Sequence, residues 1–290
     1  MSPVPAERAA YWRVDGLALE AMQARFHAFE YPRHSHDTYS FGVTDDGAQS
    51  FFCRGRHATS ARGHVMVFNP DDPHDGHAAA DHPYRYRMLH VPEALVRGVL
   101  ADARPGTGLP LFPDPVVDDP ALARTLARLH RAIVAGEPRL LIDEHLTTAV
   151  LGLTTHAASG PALRTGDPLR TRADRATTRA RAILQERFTE NIGADELART
   201  AGCSRYALYR GFRAAYGLAP SDYQRDLRLR RARSLLTAGV APVTAAVAAG
   251  FADQAHLSRW FTRTYGITPG AYHRAGTRTD TGTDSATRGG

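Results

Sequence analysis

Hydrophobic and polar positions follow one rhythm in the last third of the chain and another in the first. Between Ala194 and Tyr272 the apolar residues recur at helical spacing, and the pattern is used twice. Leu208, Phe212, Tyr216, Gly217, Pro220 and Tyr223 return as Leu257, Phe261, Tyr265, Gly266, Pro269 and Tyr272 at a constant offset of 49. Gly202 returns as Gly250 at an offset of 48, so the second copy has one extra residue in its turn. A fixed period of this kind means one supersecondary unit used twice.

Each copy reads as helix, turn, helix. In the first, a short helix over Ala194–Thr200 ends at Gly202, which can take the left-handed conformation of a sharp turn. Ser204 then caps a new helix. Tyr206, Arg210 and Arg213 fall on a face that Leu208, Phe212 and Ala215 do not occupy. In the second copy Asp253 caps, and Leu257, Phe261 and Tyr265 run at spacing four. Gln254, Arg259 and Arg263 are left for solvent or a partner. Gly217 and Gly266 stop the helices, and Pro220 and Pro269 open the next ones, where proline is tolerated. One reading is a small all-α bundle with an Arg-rich solvated face. The other is two DNA-binding helix-turn-helix units, each offering the start of its second helix to a major groove. Two units in tandem favour the second. The connector Ser221–Thr237 predicts a helix of about 25 Å, a rod able to hold two recognition helices near one DNA repeat, about 34 Å, apart.

The first part of the chain alternates at shorter range. It predicts strands over Met22–Tyr31, Thr38–Val43, Gln49–Cys53, Val65–Asn69 and Tyr84–Val91. Turns at Asp45-Asp46-Gly47, Arg62-Gly63 and Asn69-Pro70 separate them, as in a small barrel or sandwich. Leu95–Phe112 is mixed in pattern. Asp119-Pro120 then opens a helix with Leu122, Leu126, Leu129 and Ile133 on one face. Gly136 breaks it, and Pro138 opens a second with Ile142, Leu146, Val150 and Leu153. This hairpin either packs on its own barrel or forms a dimer interface, and the apolar stripe is expected to dimerise. Ala157–Asp174 reads as a linker, and Thr277–Gly290 as a disordered tail.

Length, at 290 residues, bounds the chain to about two domains. Charge separates them. Residues 1–169 hold 16 Arg and 20 acidic residues, whereas residues 170–276 hold 18 Arg and 8 acidic residues. The basic character thus belongs to the repeat, as nucleic-acid binding requires. With no apolar run long enough to span a bilayer and no charged-then-apolar leader, a soluble cytoplasmic protein is expected. Cys53 and Cys203 lack metal-type spacing and read as reduced packing residues.

The segment from about Thr171 to Ala275, above all GFADQAHLSRWFTRTYGITPGAY, resembles the DNA-binding domain of AraC/XylS-family transcription regulators. One departure is Ala245, where the family usually has a branched aliphatic and the first copy has Leu197; this implies looser packing of the second unit. The phrases HSHDTYSFGVTDDG and GHVMVFNPDDPHDG resemble the two cupin motifs of the same family's sensor domain. The resemblance implies an N-terminal cupin-like β-barrel with a helical hairpin, then an all-α domain with two helix-turn-helix units. The expected division is 1–115 sensor, 116–158 hairpin, 159–174 linker, 175–276 DNA-binding domain and 277–290 tail. DNA contacts are implied for Ser204, Arg205, Tyr206, Tyr209 and Arg210, and for Asp253, Gln254, Ala255 and Arg259. Arg suits guanine, Gln suits adenine, and Ala can touch a thymine methyl. Phe212, Phe261, Trp260 and Leu257 read as core.

The cupin phrases place His34, His36 and His74 together, a set that could hold Zn, Fe or Ni. Metal-binding cupins add a Glu four or five residues after the second His, and here those places are Ser40 and Phe41. The histidines are therefore expected to bind an organic effector, with no metal or other cofactor. Asn69–His74 reads as a rigid rim loop. The leading function is a non-enzymatic, sequence-specific transcription regulator answering a small-molecule effector. The implied partners are operator DNA, the effector, RNA polymerase and a second copy of the chain. The alternatives are a metal-dependent cupin enzyme with a DNA-binding domain attached, and a constitutive DNA-binding protein with an inert barrel.

Overall fold

The structure is a computed structural model that describes residues 7–157 and 172–275. Nearly all of the expected linker, and the tail, lie outside the described residues. Two antiparallel sheets form the N-terminal barrel. One contains β1 (Arg8–Arg13), β2 (Glu20–Phe26), β4 (Tyr39–Asp46), β7 (Val65–Phe68), β9 (Tyr84–Val91) and β10 (Val116–Val117), in the order β1-β2-β9-β4-β7-β10. The other contains β3 (Tyr31–His34), β5 (Ala48–Cys53), β6 (Arg56–Ala61) and β8 (His74–Ala78), in the order β3-β8-β5-β6.

The expected strand Met22–Tyr31 is in fact two strands in different sheets. The chain turns a corner at His27–Phe29, where the Glu7 carboxylate accepts the main-chain N–H groups of His27, Ala28 and Phe29. Those amides are satisfied by a side chain and need no ladder. The mixed stretch after Pro92 contains α1 (Glu93–Ala103), which buries Val96 and Leu100.

The hairpin is α2 (Pro120–Ala135) and α3 (Arg139–Leu153). Asp119 caps α2 by accepting from Ala121 N at 2.8 Å and Leu122 N at 3.0 Å. The expectation that the α2 stripe dimerises is corrected here. Leu122, Leu126, Leu129 and Ile133 are at most 4% exposed and pack with Phe41, Val43, Leu89 and Val91 of the barrel. Each burial contributes about 1.5–3 kcal/mol, so the stripe belongs to the chain's own core. On the hairpin's outer side Leu140 is 81% exposed.

The C-terminal part contains α4 (Arg172–Arg187), α5 (Ala194–Ala201), α6 (Arg205–Tyr216), α7 (Pro220–Thr237), α8 (Pro242–Ala248), α9 (Gln254–Tyr265) and α10 (Pro269–Ala275). The turns are left-handed at Gly202 (φ 76°) and Gly250 (φ 84°). At Gly250 a Cβ would also lie 2.7 Å from the Thr189 carbonyl oxygen. Ala245, the departure in the second unit, is fully buried beside Ala246 and Ala249. The first unit packs Leu197, Leu208, Phe212 and Tyr223 against Ala180 and Leu184 of α4. The second does not keep its core to itself. Leu257, Phe261, Tyr265 and Tyr272 join a cluster with Tyr11, Met22, Phe26, Phe68, Tyr86 and Met88 of the barrel.

Candidate nucleic-acid interface and effector cavity

The two recognition helices present the expected DNA-contact residues to solvent. Ser204, Arg205, Tyr206, Tyr209 and Arg210, and Asp253, Gln254, Ala255 and Arg259, are all exposed. Their positions follow from the caps. The Ser204 hydroxyl accepts from Ala207 N at 3.2 Å, and the Asp253 carboxylate accepts from His256 N at 2.6 Å. These two side chains therefore start the helices whose following turns carry the residues expected to contact DNA. Tyr206 is 72% exposed, with the Arg210 guanidinium over its ring at 5.3 Å. Phe212, Leu257 and Phe261 are core, as the spacing implied. Trp260 is half-buried, with Arg225 stacked on its ring at 3.7 Å.

The arginines of α7 sort by face. Arg225 pairs with Asp222 at 2.5 Å, and Arg228 donates to the Phe188 and Glu190 carbonyls. Arg231 is exposed. Arg230 and Arg233 instead reach the barrel. Arg230 donates to Asp71 at 2.7 Å and to the Ser35 hydroxyl at 2.5 Å, and pairs with Asp226 at 3.0 Å. Asp71 lies in the rim loop with φ 62°, a conformation that aspartate tolerates, and it also accepts from Arg181 of α4 at 3.2 Å. Arg233 pairs with Glu20, whose carboxylate also accepts from the Tyr272 hydroxyl at 2.5 Å and pairs with Arg13 at 3.3 Å. Burial opposes the Arg233 charge, but Glu20, Tyr272 and Tyr265 together outweigh it and hold the guanidinium pKa well above its ordinary value. None of these cross-domain partners was legible from spacing, because each pair is more than one hundred residues apart.

Inside the barrel, β3 pairs with β8 so that His34 stands opposite His74. His36 follows just beyond β3, its carbonyl held by Asp71 N at 2.7 Å. The three imidazoles are buried, with ring centroids 4.6–5.3 Å apart. His34 Nδ1 bonds the Pro32 carbonyl at 2.8 Å, and His74 Nδ1 bonds the Asp72 carbonyl at 2.9 Å. The sequence reading missed a fourth, His90, whose ring lies 4.7 Å from that of His36. Ser40, where metal cupins place a Glu, bonds His90 Nδ1 at 2.9 Å. Burial, and then neighbouring imidazoles, push the His36 pKa well below its ordinary value; burial does the same for His74 and His90 and lowers that of His34. All four are therefore neutral near pH 7.

These histidines line a cavity with Tyr11, Phe68 and Tyr86, and its wall is completed by Thr264 and Tyr265 from the end of α9. The space between them has room for about three water-sized groups. His90 also borders a wider cleft between the barrel and α7, lined by Arg13, Glu20, Arg230, Arg233 and Tyr272. In the described residues no helix is long and apolar enough to cross a membrane.

Residues 16–150 match the family model of an AraC-like ligand binding domain, and residues 197–275 match that of a helix-turn-helix domain. Over 241 residues the chain is 27% identical to the uncharacterized HTH-type transcriptional regulator YbfI of Bacillus subtilis (strain 168), covering 83% of this chain and 86% of YbfI. It is 35% identical over 89 residues to the HTH-type transcriptional activator RhaS of Escherichia coli (strain SE11), a match spanning 30% of this chain and 32% of RhaS. The solved structure of ToxT from Vibrio cholerae O395 shares the fold, with a TM-score of 0.52 and 11% identity over 94% of this chain and 99% of ToxT. The relatives are transcriptional regulators, which favours that class over a cupin enzyme. With a cupin-like ligand-binding barrel followed by two helix-turn-helix units, the chain belongs to the AraC family of transcriptional regulators.

Proposed function

We propose that an effector bound in the barrel controls how the second recognition helix meets DNA. One observation carries this reading: the cavity that holds His34, His36 and His74 is walled by Thr264 and Tyr265, and α9 presents Gln254 and Ala255 at its other end and Arg259 midway along it. A ligand that enlarges or tightens the cavity acts directly on that helix. It shifts the equilibrium by its preference for one domain arrangement over the other. The effector reaches the cavity through the cleft beside His90. There the buried Arg13 Nη1, which has no hydrogen-bond partner, is a donor for an acceptor on the effector.

On DNA, Arg205, Tyr206, Tyr209 and Arg210 read one major groove, and Gln254, Ala255 and Arg259 the next. Their exposure and their placement at capped helix starts support this. The chain is a regulator and not an enzyme; it works in the cytoplasm as a homodimer, with RNA polymerase as its promoter partner. Family membership supports these assignments.

The test is a thermal-shift screen of the full chain against small metabolites, followed by DNA selection and binding with each hit. A hit that raises the melting temperature and changes affinity for the selected DNA supports the reading. Hits that bind the barrel and leave DNA affinity unchanged contradict it.

A further inference from the structure

We propose that His34, His36 and His74 form a binding site for one divalent transition-metal ion of the zinc class. One ring nitrogen from each histidine lies within 4.8 Å of those of the other two, and all three residues are buried. The tautomers are set for ligation. His34 and His74 each turn Nδ1 to a main-chain carbonyl, which accepts only from N–H. The proton therefore sits on Nδ1, and Nε2 keeps its lone pair. This outer hydrogen bond, made to a carbonyl, is the usual orienting partner of a metal-bound histidine. His36 Nδ1 is buried without any partner, an unsatisfied group of the kind an ion or its water would satisfy.

The size also fits. Zinc binds imidazole nitrogen at about 2.0–2.1 Å, so three tetrahedral ligands stand about 3.4 Å apart. From separations of up to 4.8 Å, each ring must move inward by less than about 1 Å to reach that spacing. The cavity has space for the ion and a water at the fourth position. Three imidazoles suffice as a ligand set for ions of this class, so the absence of the cupin Glu at Ser40 does not remove the site. Ser40 instead engages His90 at 2.9 Å, which leaves His90 beside the cluster.

The regulatory consequence rests on the effector reading above, but the binding does not. Thr264 and Tyr265 share the cavity wall, so drawing the three rings together changes the surface on which the end of α9 sits.

The experiment uses the full chain, stripped with a chelator, reloaded with Zn²⁺ or Co²⁺ and desalted. The wild type should retain about one ion per chain, and the Co²⁺ form should show the strong visible absorption of a four-coordinate site. His36→Gln and His74→Gln should lose both signals, while His77→Gln, on the exposed face of the same strand β8, should keep them. A wild-type chain that retains no ion overturns the proposal, and so does retention that is equal in His74→Gln. DNA affinity with and without Zn²⁺ is measured separately. One ion bound with unchanged DNA affinity confirms the site and removes its part in regulation. No ion bound, with a DNA response to an organic compound, overturns the site and leaves the effector reading standing.

Discussion

The Tyr272 hydroxyl, in the last helix, donates to the Glu20 carboxylate of the second strand at 2.5 Å, across 252 positions of sequence. Its counterpart in the first unit, Tyr223, stays within its own domain, where its hydroxyl accepts from Arg181 Nε at 3.1 Å. The same position of the repeat thus serves as an internal brace in one unit and as a bolt to the barrel in the other. Through Tyr272 the second unit is fastened directly to the barrel.

Glu20→Ala should release that bolt. It leaves Arg233 buried without its carboxylate, a change that costs about 3–5 kcal/mol when a buried pair is broken. Hydrogen exchange of the full chain should speed up together in β1, β2, α7 and α10, with α4 and α5 less affected. Unchanged exchange in α10 would show that Glu20 does not hold the domains together.

Arg210→Ala and Arg259→Ala should each relax base preference at one position, at a cost on the order of 1–3 kcal/mol. Selection and sequencing should place the two positions about ten base pairs apart. A uniform loss across all sequences would make these arginines phosphate contacts.

Leu126→Ala should destabilise the barrel by about 2–5 kcal/mol, because it empties a fully packed core position. Leu140→Glu, at a site 81% exposed, should leave stability within about 0.5 kcal/mol. If the hairpin carries the dimer, Leu140→Glu should weaken self-association in sedimentation. A wild type that is already monomeric removes that interface.

Stability should fall on acidification, partly through His130. Burial pushes its pKa down to about 4, with Arg87, Asp45 and Arg131 as its charged neighbours and Nε2 on the Met22 carbonyl at 3.0 Å. The folded pKa lies below the unfolded value of about 6.5, so the unfolded chain binds the extra proton between the two. The stabilising contribution is therefore full above about pH 6.5 and is lost as pH falls toward 4. For this buried group the loss is on the order of 3 kcal/mol. Denaturation of wild type and His130→Gln across that range should show a shallower slope in the variant. Equal slopes would assign the loss to other groups.

Local chemistry made most of the DNA-binding domain legible. The caps Ser204 and Asp253, the turn at Gly202 and the prolines Pro220 and Pro269 act within a few residues, and the structure places each where spacing implied. The barrel was legible only in part. Strand β1 and strand β6, RHATSA, are too polar and irregular to announce themselves, and the corner at His27–Phe29 depends on Glu7, twenty residues earlier. The histidine cluster could be assembled from the cupin resemblance, whereas His90 and Tyr265 could not. They arrive by sheet pairing and domain docking, which no periodicity records. The α7 arginines show the same limit: five similar side chains on one helix go to solvent, to Asp222 and Trp260, to main-chain carbonyls or to the barrel. Only the tertiary partners decide which.

Coupling between the barrel cavity and the second recognition helix is read from two affinities of the full chain: DNA with and without a bound barrel ligand, and that ligand with and without DNA. Both should change by the same factor, about 5- to 150-fold, as linkage requires. A ligand shown to occupy the cavity that leaves both affinities unchanged would contradict that coupling.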